Sequence, residues 1–566
     1  MLDKSIQPHI SDPNLRDYTG ACKNFTWQDT DHYFTWHETG RLNIAHEAID
    51  RHACHPDTAD RNCLTYAHPA NRVAITYRQM RDLSNRFANV LTRLGVGKSD
   101  RVCLYLTEIP ELYIAMVGCA KIGAIIVPLY SDYMTGAVKS RMHDARPKVV
   151  VTDSVRLDRI PLQELPDVEH VIIAGDHQGI TPDQCRFWNE EMSSASDCFE
   201  PVWLDPETPF LIVYTSGNDG APVGLVHVHA AMKGYLMTAR WVLDIRDNDI
   251  VLTHGRPGWF MNIVYSAFAP WLCGVESVIC DGIETAEQLY EVLTENRVSV
   301  LYTIPSVYKL VPDSGAELVE KYDLSRLRHL LSVLEPLTSD AIFAVKAVLK
   351  LPVYDTWWSA ETGMITIANF PCLPIKPGYL GKPVPGITAA ILDDADSETS
   401  FFEMGRLVLK QGWPAAARGI WGRANFETTY LFNPPWFMTG DVVFIDLDGY
   451  LFYQGNADDV VITSAGKIGI SEIESMLLRH PAVAEAAVVR IAASDGSKHI
   501  KAFIVLKAGY EEGVLLERDI IGSVAENLSS DSAPASIQWC RSLPRNENGS
   551  IRTIALKATS LGLMDW

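Results

Sequence analysis

The sequence lacks several features that mark broad classes of proteins. No run of lysine or arginine offsets its acidic residues, and the formal net charge is −21 at pH 7. Such a charge argues against nucleic acid and against an anionic membrane surface as partners. The chain also has no signal peptide and no apolar run of about 20 residues, so we expect no membrane association.

Paired cysteines are also missing. The 11 cysteines are scattered without a Cys-x-x-Cys pair, the spacing common in zinc and redox sites. His52, Cys54, His55 and Cys63 lie close in sequence but fit no zinc pattern, and we interpret them as a surface loop. These observations predict a cytoplasmic protein with reduced thiols, whose partner is a small molecule or another protein.

The pattern along the chain predicts an α/β fold. A chain of 566 residues exceeds one ordinary domain. From residue 75 onward, short apolar strands alternate with amphipathic helices, which favours parallel sheets. We therefore predict a large N-terminal domain of doubly wound parallel sheets with helices on both faces, followed by a small α+β domain.

One stretch has the composition of a phosphate-binding loop. Residues 210–214 are apolar or aromatic and predict a buried strand, and Thr215-Ser216-Gly217-Asn218-Asp219-Gly220 follows directly. Small and glycine-rich residues let a backbone turn sharply and direct several N–H groups at one anion. A plain hairpin turn with Asn-Asp-Gly at its tip fits these residues equally well.

Thr215-Ser216-Gly217, Pro222, Gly224 and His227 resemble the phosphate-binding loop of the AMP-forming acyl-CoA synthetases, also called adenylate-forming ligases. The resemblance covers nearly the whole chain and is greatest to the acetyl-CoA synthetase branch. It implies ATP or AMP, magnesium and coenzyme A as cofactors, and a short-chain carboxylate or acyl-CoA as substrate. The loop departs from the family at Asn218, Asp219, Ala221 and Val223, where the family has two threonines and two lysines.

A second motif, Asp355-Thr-Trp-Trp-Ser-Ala-Glu-Thr-Gly363, resembles Asp-Thr-Trp-Trp-Gln-Thr-Glu-Thr-Gly of the family. The resemblance makes Glu361 a catalytic residue and the magnesium ligand, and places Asp355 and Thr356 among the nucleotide-binding residues. Ala360 stands where the family has a phosphate-binding threonine. The resemblance also implies an acyl pocket with Trp358 as its floor and with Trp259, Phe260 and Val333 as its other walls.

Further site residues follow from the same resemblance. The implied nucleotide-binding residues also include Glu335, beside Leu334 in place of a family glycine, and Asp441, which would bind the ribose. Asn456 replaces an arginine that contacts the nucleotide. Asp458 would be the hinge between domains 1–456 and 457–566, and the resemblance implies that the small C-terminal domain is mobile about it. Ala465 would line the coenzyme A tunnel. Lys467 and Ser550 are the remaining catalytic candidates, and Ser550 occupies the position of the family's catalytic lysine.

The matches and departures leave three hypotheses open. The chain is an active ligase for a very short acid, or a catalytically lapsed relative that binds acyl-CoA, nucleotide or a protein partner as a regulator or scaffold. The third hypothesis is that the fold has been turned to other chemistry in the same pocket. The missing cations predict that ATP-dependent activation is impaired, since each donor of this kind contributes about 10²–10³ in rate.

Overall fold

The computed structural model describes residues 5–68, 72–175, 182–216, 222–255, 258–280, 282–334, 337–393, 395–424, 431–432, 435–456, 460–463, 466–492, 498–527, 533–545 and 551–560. The chain divides into two compact units. The first contains residues 1–387 and 411–431, and the second contains residues 388–410 and 432–566. The expected domain boundary between residues 456 and 457 adjoins residues outside the described ranges and stays a prediction.

Twenty-seven strands are defined among the described residues. The first sixteen are β1 (Asn62–Tyr66), β2 (Val73–Thr76), β3 (Arg101–Tyr105), β4 (Ile125–Pro128), β5 (Val149–Asp153), β6 (His170–Ala174), β7 (Cys185–Phe187), β8 (Pro209–Ser216), β9 (Pro222–Val228), β10 (Ile250–Thr253), β11 (Glu276–Ile279), β12 (Val300–Thr303), β13 (His329–Ser332), β14 (Val353–Trp357), β15 (Ile367–Ala368) and β16 (Lys382–Pro383). The others are β17 (Thr388–Leu392), β18 (Gly405–Lys410), β19 (Gly419–Ile420), β20 (Leu431–Phe432), β21 (Trp436–Ile445), β22 (Leu451–Asn456), β23 (Val460–Thr463), β24 (Gly466–Gly469), β25 (Val483–Ala492), β26 (Lys498–Leu506) and β27 (Ser536–Trp539).

The first unit is built on two large sheets. One has the strand order β16-β15-β14-β13-β12-β10-β11-β1-β2, and the other has the order β19-β9-β8-β4-β3-β5-β6-β7. Strands β3 to β7 pair in parallel within the second sheet, and β10 to β14 pair in parallel within the first. Strands β3, β4, β5 and β12 are mostly apolar and buried along nearly their whole length, as expected for strands covered on both faces, whereas β7 is only partly buried.

The helices of the first unit connect these strands. The α-helices are α1 (Tyr18–Asn24), α2 (Arg51–Cys54), α3 (Tyr77–Arg93), α4 (Pro110–Lys121), α5 (Thr135–Ala145), α6 (Ser154–Leu157), α7 (Trp188–Ser194), α8 (Met232–Trp241), α9 (Ala269–Leu272), α10 (Ala286–Glu295), α11 (Pro305–Val319) and α12 (Ser339–Leu349). Short 3₁₀ helices lie at Trp27–Tyr33, Thr35–Glu38, Leu162–Glu164 and His229–Ala231, and π-helical turns at His46–Asp50 and Asn262–Phe268. The alternation of strand and helix confirms the predicted α/β class.

The structure corrects the interpretation of the N-terminal stretch. His52 and Cys54 belong to α2 and Cys63 to β1, so the interpretation as a surface loop is wrong for these three residues, whereas His55 lies in the exposed turn after α2. Cys63 is fully buried because β1 lies inside the sheet, between β11 and β2. A five-residue strand with polar ends carries too little periodicity to be recognised from sequence.

The second unit contains smaller sheets. Strands β17, β18, β20 and β21 are neighbours in the order β17-β18-β21-β20, and β22 also pairs with β21. Strands β23 and β24 form a two-stranded sheet, and β25, β26 and β27 form a three-stranded one. Helices Ile470–Leu478, Val514–Asn527 and Thr553–Ser560 complete this α+β region. None of the helices described in either unit is long and apolar enough to cross a membrane.

Candidate active site

The stretch predicted to bind phosphate connects two antiparallel strands. Strands β8 and β9 pair in antiparallel fashion up to Ser216 and Pro222, which lie opposite each other. Residues 217–221, which include Gly217, fall outside the described ranges. The hairpin interpretation of this stretch is therefore correct for its strands, and it is compatible with a phosphate-binding tip. The hydroxyl of Thr215 is buried and has no hydrogen-bond partner among the described residues.

Gly224 lies where β9 passes closely against its neighbours. A β-carbon at this position would lie 2.9 Å from a side-chain carbon of Ile212 and 3.3 Å from Cβ of Trp421. The amide of Trp421 donates a hydrogen bond to the Gly224 carbonyl at 2.7 Å. The glycine therefore lets β9 sit tightly between β8 and the segment that contains β19.

The second motif forms a turn directly after β14. The Ser359 amide donates to the Thr362 hydroxyl at 2.9 Å, and the Gly363 amide donates to the Ser359 carbonyl at 3.1 Å. Trp413 Nε1 donates to the Thr362 carbonyl at 2.7 Å. Gly363 has φ +74°, and a β-carbon there would lie 1.8 Å from the Ala415 carbonyl oxygen. Only glycine fits this turn without displacing the backbone around Ala415.

An apolar cluster joins the two motifs. Val223, Leu225, Ala417 and Ile420 form its buried core, and Ala360 packs against it. Val223 and Ala360 occupy positions where the resemblance implies a lysine and a threonine. The Ala417 amide donates to the carbonyl of Glu361 at 2.9 Å, which fixes the backbone of the predicted magnesium ligand beside the cluster. The carboxylate of Glu361 has no hydrogen-bond or ion-pair partner within the described part of the chain.

The indole of Trp358 is held by a chain of hydrogen bonds. Trp358 Nε1 donates to the Tyr302 hydroxyl at 3.0 Å, and the Tyr302 and Thr356 hydroxyls lie 2.8 Å apart. The Thr356 hydroxyl donates to the Ser332 carbonyl at 2.7 Å. An indole N–H can only donate and a carbonyl can only accept, so Tyr302 must donate to Thr356. The hydroxyl of Thr356, a predicted nucleotide-binding group, is thus used to orient Trp358.

Aromatic rings fill the space around Trp358. The ring of Phe260 lies 5.4 Å from that of Trp358 and 4.7 Å from that of His227. Tyr265 meets Trp358 edge to face at 5.4 Å. His227 is fully buried, which lowers its pKa to about 4, so its imidazole is neutral at pH 7.

The predicted pocket corner begins at Gly258. Its φ is +83°, and a β-carbon there would lie 2.3 Å from the Leu129 carbonyl oxygen. This close approach fixes the direction of Trp259, whose ring lies 6.3 Å from that of Tyr130. Trp259 and Phe260 are each 6% exposed. The structure thus brings Phe260 and Trp358 into contact and places Trp259 on the adjoining corner.

Asp355 and Val333 lie on neighbouring strands. Strand β14 carries Asp355, and Val333 follows directly after β13, the strand beside it. Asp355 accepts a hydrogen bond from the Thr356 amide at 3.1 Å, and burial raises its pKa well above the usual value. Val333 is fully buried.

Leu334 adopts a backbone conformation that favours glycine. Its φ is +79° and its side chain is 53% exposed. The family resemblance implies a glycine at this position, and the structure retains the glycine-like conformation with a leucine in it. A left-handed conformation costs a residue with a side chain roughly 1–2 kcal/mol.

Replacing Leu334 by glycine is therefore expected to stabilise the protein. The gain is about 0.5–1 kcal/mol, because the relieved strain exceeds the extra backbone entropy that glycine loses on folding. Urea denaturation followed by circular dichroism measures the change. Leu334→Ala is the matched control, since alanine keeps the strain, and an equal gain in both variants would contradict this explanation.

The ribose-binding candidate belongs to the second unit. Asp441 is on β21, directly opposite Asn456 on β22. Asp441 is 9% exposed. The structure thus pairs the predicted ribose ligand with the position at which the family has an arginine. Glu335, Asp458, Ala465 and Ser550 lie outside the described residues, and the side chains of Ser216 and Lys467 are likewise not described.

Two tyrosines that shape this site had no sequence signal. Tyr302 and Tyr265 are fully buried, and the Tyr265 hydroxyl accepts a hydrogen bond from the Ile365 amide at 2.9 Å. Tyr302 stands in β12, within the region from residue 75 onward in which the sequence predicts alternating strands and helices. Tyr302 reaches Trp358 because parallel pairing places β12 beside β13, and this pairing is a property of the tertiary structure.

The chain belongs to the AMP-binding enzymes, the adenylate-forming ligases. Residues 51–421 match the family described as AMP-binding enzyme, and residues 472–550 match the AMP-binding enzyme C-terminal domain. The first match contains the stretch around Thr215 and the motif around Trp358, whereas Asp441, Asp458 and Lys467 lie between the two matches.

Its relatives include acetyl-coenzyme A synthetases. The chain is 39% identical to that of Bacillus subtilis over 99% of this chain and 98% of the relative. It is 32% identical to that of Methanothrix soehngenii over 94% of this chain and 84% of the relative. Among solved structures, a Brucella canis acyl-CoA synthetase superposes with a TM-score of 0.75 at 27% identity, covering 97% of this chain and 99% of that one. An anthranilate CoA ligase in complex with anthranoyl-AMP superposes with a TM-score of 0.80 at 25% identity, covering 92% and 97%.

Proposed function

We propose that this protein binds a short-chain acyl group, as its carboxylate, adenylate or CoA thioester, and performs the ATP-dependent activation step of its family only slowly. The acetyl-coenzyme A synthetases among its relatives support the substrate class. The observation that carries the proposal is the apolar cluster in which Val223 and Ala360 meet. Two positions of the expected phosphate site thus belong to one apolar cluster, which offers a triphosphate neither charge nor hydroxyl groups.

Part of the nucleotide site fits its ligand. The Thr215 hydroxyl is buried without a partner, and the Glu361 carboxylate is likewise unpaired among the described residues. Magnesium prefers oxygen ligands and commonly takes one or two carboxylates together with substrate phosphates. Glu361 would supply such a ligand, and bound magnesium would neutralise phosphate charge. Asp441 would accept hydrogen bonds from the ribose.

The described residues do not supply the cation that the phosphates of a nucleotide would need. Arg418 follows the cluster residue Ala417, but its guanidinium contacts Glu207 and the carbonyls of Ala416 and Pro414. These partners hold it away from a role at the phosphates. We therefore expect the protein to retain affinity for the adenylate part of the nucleotide. We expect it to stabilise the departing pyrophosphate only weakly.

ATP–pyrophosphate exchange in the presence of acetate or propionate tests the slow step. Losing several preorganised donors at about 10²–10³ each predicts a rate lower by several powers of ten than that of an acetyl-coenzyme A synthetase relative assayed in parallel. Calorimetric titration with AMP and acetyl-CoA provides the companion measurement, and binding of at least one is expected. A rapid exchange rate would refute impaired activation, and no heat with either ligand would refute acyl or adenylate binding.

Phe260 is expected to limit the length of the acyl group. Its ring fills the space between His227 and Trp358, so Phe260→Val should admit one or two more methylenes. The affinity for the butyl ester of AMP should rise about 10- to 100-fold relative to the ethyl ester, as for other apolar pockets that gain room for a methylene. Isothermal titration calorimetry measures the ratio.

Phe268→Val is the control for this variant. Phe268 is buried at the end of the π-helical turn Asn262–Phe268, which follows Phe260 in the chain, but it packs on Phe210 and Trp271, outside the predicted pocket. The Phe268→Val substitution creates a cavity of similar size without changing the acyl pocket. An identical shift in both variants would show that general loosening, and not pocket length, explains the effect.

A second candidate function is that of a binding protein without turnover. The same apolar cluster favours it, because the cluster removes catalytic donors and leaves Trp358 and its hydrogen-bond chain intact. Retained binding of AMP or acetyl-CoA with no exchange above the acid-free blank would select this candidate.

A further inference from the structure

The first unit contains a second cleft that shares no lining residue with the site described above. Its volume is about 890 Å³, within the range of small-molecule sites. Residues from both sheets and from α3, α4 and α7 line it. They include Ile75, Leu83, Arg86, Glu111, Asp153 and Trp188.

The cleft lies at a topological switch point of the second large sheet. Strand β3 stands between β4 and β5, so the chain leaves β3 toward one side and then crosses back to the other. Residues 107–111 follow β3, and residues 153–156 stand at the end of β5; both segments line the cleft. Crevices at the carboxyl ends of strands where the winding reverses are the places where open α/β sheets bind ligands.

One wall of the cleft is apolar and rigid. Ile75 on β2, Leu83 on α3 and Ile114 on α4 contribute aliphatic side chains. Trp188 at the start of α7 is 5% exposed, and its ring stacks on that of Phe87 at 4.9 Å. A ligand with an apolar body would bury its surface here against side chains that are already ordered.

The arginines at the cleft are held by protein partners. Arg86 donates to the Ala195 carbonyl at 2.7 Å and to the Asp197 carboxylate at 3.1 Å. Arg156 donates to the Ser131 carbonyl at 2.9 Å and to Asp153 at 2.7 Å. Their charges are thus balanced within the protein, which makes the cleft a poor site for an anion.

Glu111 differs from the two arginines of the cleft, because no ion pair balances its charge among the described residues. It is the second residue of α4 and lines the cleft, and no other described residue donates a hydrogen bond or forms an ion pair with its carboxylate. Burial raises its pKa, because part of its hydration is removed without a cation in return. A ligand that brought a positive charge to this carboxylate would remove that penalty.

We propose that this cleft is a binding site for a small amphipathic amine, with its apolar body against Leu83 and Trp188 and its ammonium group on the carboxylate of Glu111. The site is independent of the proposed acyl-binding function, since the two have no lining residue in common. It gives the first unit a second ligand position, in the crevice at the carboxyl ends of β3 and β5.

Calorimetric titration with 2-phenylethylammonium chloride tests the proposal on the full-length protein. We expect saturable binding to the wild-type protein and a loss of about 10- to 100-fold in Glu111→Gln, the range for a hydrogen bond to a charged group. The anion 3-phenylpropionate, similar in size, is expected to bind more weakly than the ammonium probe. Circular dichroism and thermal melting establish that each variant is folded.

Glu287→Gln is the matched control. Glu287 is the second residue of α10, as Glu111 is of α4, so both changes remove a carboxylate from the first turn of a helix. Glu287 does not line the cleft. Affinity lost in Glu111→Gln and kept in Glu287→Gln supports the site. No saturable heat with the wild-type protein, equal affinity in both variants, or tighter binding of 3-phenylpropionate overturns it.

Discussion

Exchanging Val223 and Ser550 for lysine in one protein is expected to raise the rate of ATP–pyrophosphate exchange by at least about 10²-fold. Each lysine returns a cation to a position at which the family resemblance implies one, and a single preorganised donor contributes about 10²–10³ in rate. Val223 is 6% exposed within the apolar cluster, so the new ammonium group must extend out of the cluster while its methylenes stay inside. The exchange assay with acetate measures the gain.

The control for this experiment is the double variant with methionine at both positions. Methionine matches the length of the lysine chain without its charge, so it reproduces the repacking around Leu225 and Ile420. Both variants should lose about 1–3 kcal/mol of stability from overpacking of the cluster, which urea denaturation measures. Exchange that rises equally in both, or in neither, would contradict the idea that missing charge limits activation.

Gly363→Ala is expected to cost about 2–5 kcal/mol of stability and to abolish nucleotide binding. The new methyl group would lie 1.8 Å from the Ala415 carbonyl oxygen, in a backbone conformation with φ +74°. A left-handed conformation costs roughly 1–2 kcal/mol and a steric clash in a packed interior about 1–3 kcal/mol. Relief of the clash would displace the backbone next to Ala417, which holds Glu361. Urea denaturation and calorimetric titration with AMP measure the two effects.

Gly422→Ala separates the two costs. Gly422 has φ +66°, and a β-carbon there would meet no atom within 4 Å. This variant should therefore lose only about 1–2 kcal/mol, the conformational part alone. A loss as large as that of Gly363→Ala would show that the contact with Ala415 is not the main cause.

Strands β3, β4, β5, β10 and β12 were predictable from sequence within a residue or two. They are nearly continuous apolar runs, and the helices between them are long enough to fix parallel pairing. Strands β1 and β2 were not predictable, because their burial depends on β11, which lies far along the chain. The candidate site divides in the same way, since the motif around Trp358 was recognisable and its support by Tyr302 was not.

By itself, the sequence determined the family and the positions at which expected cations are absent. Both are properties of residue identity and local spacing, which a linear chain displays directly. The tertiary structure alone decided that Ala360 packs against the apolar cluster that contains Val223, and that Phe260 lies between His227 and Trp358. It also decided that, within the described ranges, no other residue pairs with the carboxylate of Glu111. The reason is that sheet pairing sets which distant segments meet, and the energies of burial, contact and charge depend on those neighbours.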